Sequence, residues 1–198
     1  MKIKIALSIL VSVFAITSIA ETLPAPQTVG GMPLMQAISE RKSVRDYDYT
    51  KPVTKQDLSN ILWAAWGITH DGKHTVATAM NRQELLLYVI TDHDISLYDP
   101  AKNTLTVVNT GDFRELAGRQ EFAQKAPINV VMVADTEKQN RLEFQAYTAG
   151  AASQNMYLYC ASAGLKTVVR AMFNHDALPE AMHLPSNQTV LFVQTIAH

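Results

Sequence analysis

The chain has 198 residues, 47% apolar, 18% charged and 8% aromatic, which excludes low-complexity, collagen-like and disordered chains. Its 17 Lys and Arg stand against 18 Asp and Glu, so a net charge of −1 provides no general attraction for nucleic acid. The single cysteine, Cys160, excludes an internal disulfide and a cysteine-cluster zinc site.

Lys2 and Lys4 form a basic start. The stretch from Ile5 to Ile16 is almost wholly apolar, broken by Ser8 and Ser12, and Ser18-Ile19-Ala20 puts small residues where a signal peptidase reads. This layout predicts a signal peptide over residues 1–20, cut after Ala20, and an exported, periplasmic mature protein. The apolar run, about 15 residues, is short of the roughly 20 that span a bilayer, and no other run is longer, so no stable membrane insertion is expected. Pro24, Pro26, Gly30 and Gly31 mark residues 21–32 as an extended lead-in, poorly ordered unless something ties it down. No linker interrupts residues 33–198, which read as one domain.

Along that domain, Leu34, Ala37 and Ile38 recur at helical spacing over Pro33–Glu40, with proline at the start. Residues 41–51 are polar and aromatic and end at Pro52, a loop. Thr54 followed by Asp57 is a helix start, and Leu58, Ile61, Leu62, Ala65 and Trp66 continue the helix until Gly67. A loop over 70–82 leads to the apolar run Glu84–Thr91, a buried strand. Ile95–Asp99 and Thr104–Asn109 are shorter strands around a hairpin at Pro100–Asn103. Phe113–Lys125 reads as helical with a break near Gly118, and Ile128–Ala134 as a second buried strand. The longest helix is expected over Glu137–Ala163, with an unusually small middle, Ala149-Gly150-Ala151-Ala152-Ser153, that lets another helix approach closely. Strands over Lys166–Phe173 and Thr189–Ile196 enclose a helix around Ala177–Met182. Alternating helices and buried β-rich runs predict a layered α+β or α/β fold.

Three local patterns are candidates for chemistry. Arg41-Lys42-Ser43-Val44-Arg45 gathers three cations and a hydroxyl directly after a helix, a donor set suited to a phosphate. Asn81 and Gln83 lie just before the first buried strand, and amides both donate and accept, as needed to read a heterocycle edge. They are equally common turn formers. Gly164-Leu165 follows the longest helix, where glycine caps the helix or lets a ligand approach the backbone closely. Arg170 on the next strand could reach a phosphate or be buried in an ion pair. His70 and His74 flank Asp71-Gly72 without a third metal ligand, so no metal site is expected. Cys160 reads as an inert packed thiol. No G-x-S-x-G, G-x-G-x-x-G or Walker pattern is present.

In order, these segments resemble the nitroreductase superfamily over nearly all of the mature chain. Arg41-Lys42-Ser43-Val44-Arg45 is similar to the family's Arg-(Arg/His)-Ser-x-(Arg/Lys) opening, Thr75–Gln83 to its (Pro)-Ser-x-x-Asn-x-Gln segment, and Gly164-Leu165 to its Gly-Leu-Gly turn. The resemblance is closest to a small branch related to peptide thiazoline and oxazoline dehydrogenases. It implies an α+β fold with a central, mostly antiparallel sheet flanked by helices, an intertwined homodimer, and FMN at the subunit interface. Carried over by position, Arg41, Ser43 and Arg45 would meet the FMN phosphate and ribityl chain, Lys42 the flavin, and Asn81 with Gln83 the isoalloxazine and ribityl end. The backbone amides of Gly164 and Leu165 would face the ring. Arg170 would stand in for a late basic residue that many relatives supply to the phosphate. Ala77, Thr78 and Lys166 depart from the family pattern. The function implied is that of an FMN-dependent oxidoreductase transferring hydride through flavin N5 between a small-molecule or redox-protein donor and an acceptor, with no catalytic side chain named. The alternative is a non-enzymatic ligand-binding protein on the same fold.

Overall fold

The central strands show why long apolar runs form here. In the computed structural model, which describes residues 20–198, β2 (Leu85–Ile90) and β5 (Ile128–Asp135) pair antiparallel with Leu87 opposite Met132. Their alternate residues feed two different cores. Leu87, Val89, Val130 and Met132 face one side, with Leu62 and Met156. Tyr88, Ile90, Val131 and Val133 face the other, with Phe173, Leu178 and Met182. A sheet covered on both faces needs apolar residues at every position, so the strand pattern loses its alternation.

Around this pair lie β1 (Ala20–Thr22), β3 (Asp94–Asp99), β4 (Thr104–Thr110), β6 (Lys166–Arg170) and β7 (Gln188–Ala197), in the order β1-β4-β3-β2-β5-β7-β6. Every ladder between these strands is antiparallel. The helices are α1 (Leu34–Glu40), α2 (Lys55–Trp66), α3 (Arg114–Ala117), α4 (Glu121–Lys125), α5 (Leu142–Ala163) and α6 (Ala177–Ala181). The expected α+β architecture is therefore present, and the break near Gly118 divides α3 from α4.

Helix α2 opens with a full capping box: Asp57 N–H donates to Thr54 Oγ1, and the Asp57 carboxylate accepts from Thr54 N–H. It packs on α5, where Ala149 and Ala152 are wholly buried. Asn155 Nδ2 donates to Ala64 O at 2.8 Å, and Tyr159 OH donates to Asp57 Oδ1 at 2.9 Å.

Three sequence expectations need correction. Helix α5 begins at Leu142 instead of Glu137, because side chains intercept the backbone there: Asp135 Oδ1 accepts from Glu137 N–H and Gln139 Oε1 from Arg141 N–H. Strand β6 stops at Arg170, and Phe173 turns into the second core. The apolar stripe of α1 buries only Ala37; Leu34 and Ile38 are 63% and 45% exposed.

The signal-peptide expectation lies outside the described residues except for Ala20, which pairs with Thr106 in β1–β4. The lead-in is tied down. Leu23 enters the core, Ser59 Oγ donates to Pro24 O at 2.5 Å, Gln27 N–H donates to Asn60 Oδ1 at 2.8 Å, and Met32 N–H donates to Ser162 Oγ at 2.7 Å. Lys55 pairs with Glu21 at its start. Among the described residues no helix is long and apolar enough to cross a membrane.

Candidate functional site

The basic segment after α1 is held as an extended strip beside β6. Val44 N–H donates to Thr167 O at 3.0 Å, Lys166 Nζ to Asp46 O at 2.8 Å, and Asp48 N–H to His198 O at 2.6 Å. Between this strip and the end of α5 lies a cleft of about 440 Å³, lined among others by Lys42, Tyr157, Cys160, Gly164, Leu165 and Thr167. Lys42 and the glycine turn, more than a hundred residues apart in sequence, thus meet at one place.

Tyr157, which sequence reasoning passed over, organises this cleft. Its hydroxyl lies 2.7 Å from Ser43 Oγ and accepts from Val169 N–H at 3.0 Å. The Arg41 guanidinium sits over its ring, 5.2 Å from the centroid. An aromatic residue with a polar tip is suited to this task, yet only the fold brings it to the basic segment. Arg45 is exposed and does not line the cleft. Burial pushes the Cys160 thiol well above its usual range, so it stays protonated, as a packed thiol should.

Gly164 has φ +69°, the left-handed region, and a Cβ built on it would meet open space. Its role at the backbone differs from expectation. The N–H groups of both Gly164 and Leu165 donate to Cys160 O, closing α5, so neither is free for a ligand ring. The turn contributes shape to the cleft in place of donors.

Asn81 and Gln83 line a different hollow, of about 470 Å³, with His70, Lys73, His74 and Thr78. Met80, Asn81 and Gln83 have φ of +54°, +54° and +50°. Three non-glycine residues in the left-handed region within four positions store local strain, which the fold must hold in place. It does so through Thr78, whose Oγ1 accepts from Gln83 N–H at 3.1 Å, and through Lys138 Nζ, which donates to Gln83 O at 3.2 Å. The next residue, Glu84, is buried and accepts from Thr148 Oγ1 on α5 at 2.7 Å.

Thr148 precedes Gly164 by sixteen residues on one helix, so the amide pair and the glycine turn are about 24 Å apart along α5 at 1.5 Å per residue. Within one chain the two halves of the expected site share no lining residue.

Arg170 belongs to neither half. Its guanidinium is buried, donating to Ala117 O at 2.9 Å, Met172 O at 3.1 Å, Asn129 Oδ1 at 3.0 Å and Thr195 Oγ1 at 2.6 Å. It also faces the Phe122 ring at 5.6 Å. Burial lowers its pKa to about 10, still charged at neutral pH. The expectation that Arg170 reaches a phosphate is therefore corrected: both terminal nitrogens are engaged inside the fold, and the unpartnered Nε is itself buried.

His74 is the second residue that sequence reasoning undervalued. It stacks flat on Trp66, centroids 3.7 Å apart and planes 9° apart, and its Nδ1 lies 2.8 Å from Trp66 O. The histidine and tryptophan are visible in the sequence, but only the loop over 67–74 superposes them.

Comparison with known proteins identifies the family. The Nitroreductase family model matches residues 38–198. A crystal structure of a protein classed as a nitroreductase, from Ralstonia eutropha JMP134, is 36% identical with a TM-score of 0.83, covering 90% of this chain and 89% of that one. A Methanocaldococcus jannaschii protein also classed as a nitroreductase is 29% identical over 76% of this chain and 84% of its own. A Desulfovibrio desulfuricans structure of that class, in complex with FMN, shares the fold with a TM-score of 0.63 at 22% identity, covering 85% of this chain and 87% of that one. The sequence motifs, the antiparallel sheet and the 161-residue match lead to one assignment: the chain belongs to the nitroreductase family.

Proposed function

We propose that this protein is an exported FMN-dependent oxidoreductase that works as a homodimer. The observation that carries the reading is the convergence of Lys42 and the Gly164 turn on one cleft, with Arg41 and Ser43 held beside it on Tyr157. Its chemistry fits the group. An exposed lysine, a half-buried arginine and an exposed hydroxyl suit a phosphate, and the missing Cβ at Gly164 leaves room for a planar ring. Arg41, Lys42 and Ser43 would hold the phosphate and ribityl end, while Asn81 and Gln83 would meet the heterocycle. Bound FMN would supply hydride transfer, which needs no side-chain nucleophile.

The distance along α5 supports the dimer. One chain's amide pair cannot share a ligand with its own glycine turn, whereas a two-fold related copy brings one chain's hollow to the other's cleft. The exposed Leu34 and Ile38 of α1 and the open outer side of Gly150 on α5 are surfaces such a copy would cover. Export rests on the basic start and apolar run of residues 1–20, with the domain proper beginning at residue 33. The donor and acceptor would be small molecules or another redox protein.

The test is direct. The mature protein from its native compartment should show a flavin band released by heat as FMN, and the Arg41→Ala/Asn81→Ala double variant should lose it. Unchanged FMN affinity in that variant would refute the site. One observation favours the alternative, a ligand-binding protein without flavin: the Gly164 and Leu165 amides and Arg170 are all engaged internally. A protein that stays colourless in excess FMN decides for it.

A further inference from the structure

The geometry around His74 fixes one ring nitrogen as an outward-facing acceptor. Its ring lies flat on Trp66, which is itself buried. Its backbone is pinned by the bridge to Ile68 and by Thr75 N–H donating to Gly67 O at 2.9 Å. The Trp66 carbonyl 2.8 Å from Nδ1 can only accept, so Nδ1 carries the hydrogen. In the neutral ring the remaining nitrogen, Nε2, is then a bare lone pair. No hydrogen bond to it is present among the described residues, and the ring lines the hollow of Asn81 and Gln83. A half-turn of the ring would keep the stack but lose the Trp66 bond.

The charged groups facing this ring are cationic. Lys138 approaches from the turn after β5 and Lys73 from its own loop, His70 also lines the hollow, and no acid does. Burial first, and Lys138 with it, hold the His74 pKa below the usual histidine range, against the opposing pull of the Trp66 and Gly67 carbonyls. The neutral ring, with its lone pair available, is the form present at neutral pH.

We infer that His74 is a specificity-determining residue whose Nε2 accepts a hydrogen bond from a ring hydroxyl or ring N–H of an aromatic ligand seated in the hollow. As a statement about the redox partner this rests on the oxidoreductase reading; as a statement about what the hollow binds it stands alone. A quinone-type partner presents only acceptors when oxidised and gains hydroxyl donors when reduced. The neutral His74 ring therefore favours the reduced member, and the protonated ring, now a donor, favours the oxidised one.

The experiment compares two redox-inert probes, 2-naphthol and its methyl ether 2-methoxynaphthalene, binding to the protein as purified. At about pH 8 the wild type should bind the naphthol about tenfold more tightly, the worth of one hydrogen bond to a fixed acceptor. His74→Phe keeps a stacking ring and should erase that preference, while His74→Gln, which retains an acceptor, should restore part of it. At about pH 5 the wild-type preference should shrink as the ring is protonated. Equal binding of the two probes by wild type, or the same preference in His74→Phe, would overturn the inference. Bound FMN without the preference would defeat this inference alone; the preference without any FMN would defeat the oxidoreductase reading alone.

Discussion

The guanidinium of Arg170 is in a residue only 7% exposed and meets neutral acceptors, whereas that of Arg41 lies over Tyr157 at the edge of an open cleft. Both are arginines that the sequence placed beside a phosphate. The difference is one of remaining capacity. A buried cation persists only when most of its donors are satisfied, and Ala117, Met172, Asn129 and Thr195 take up both terminal nitrogens, leaving only the buried Nε unpartnered. The Arg41 side chain makes no hydrogen bond among the described residues, and the aromatic ring orients it without neutralising it. Positive charge in the sequence is thus ambiguous until its exposure is known.

The largest test of that contrast is Arg170→Met. It strips a partner from two carbonyls and two side-chain oxygens, and should cost about 3 kcal/mol in urea unfolding, because buried acceptors left unpaired are expensive. A loss under about 1 kcal/mol would mean that the network is not holding the sheet. Gly118→Ala comes next. Gly118 has an extended backbone, but an added Cβ would fall 2.3 Å from Arg170 Nη1. Overpacking there should destabilise by about 2 kcal/mol, and the loss should shrink without vanishing in the Arg170→Met background, because Ala123 Cβ would still lie 2.7 Å away.

On the open side the effects shift from stability to binding. Tyr157→Phe removes the hydroxyl that joins Ser43 to Val169 N–H. It should lower stability by about 1 kcal/mol and weaken FMN binding about threefold, measured by flavin fluorescence. The smallest expected effect is a pH dependence. Since the folded-state pKa of His74 is depressed, its contribution to stability is fully present above the unfolded-state value and is lost as pH falls through the folded one. Wild type should therefore lose stability below about pH 6.5 by a component absent from His74→Phe, read from thermal midpoints at matched pH. Identical profiles for the two proteins would remove His74 from the account.

Much of the scaffold was legible. Thr54 and Asp57 announced α2, and the unbroken apolar runs announced β2 and β5, because those signals are local or strictly periodic. The start of α5 was not, since Asp135 and Gln139 redirect the backbone with side-chain hydrogen bonds that periodicity does not register. Within the site, the basic segment and the amide pair were visible as residue types. The organising role of Tyr157 was not, because its partners Ser43 and Val169 come from opposite ends of the domain. Arg170 was misread for the same reason: Asn129 and Thr195 belong to strands that become neighbours only when the sheet closes.

That closure has a consequence for the order in which the molecule forms. Strand β7, the last element along the chain, lies inside the sheet between β5 and β6. Until its ten residues have been synthesised, β6 has no ladder to join and Arg170 lacks Thr195. A nascent chain emerging from the ribosome therefore carries an open sheet edge at β5 until β7 has been made. Non-local pairing of this kind forms slowly, so the sheet stays open until β7 is in place, and whatever handles the chain before then meets it unfinished.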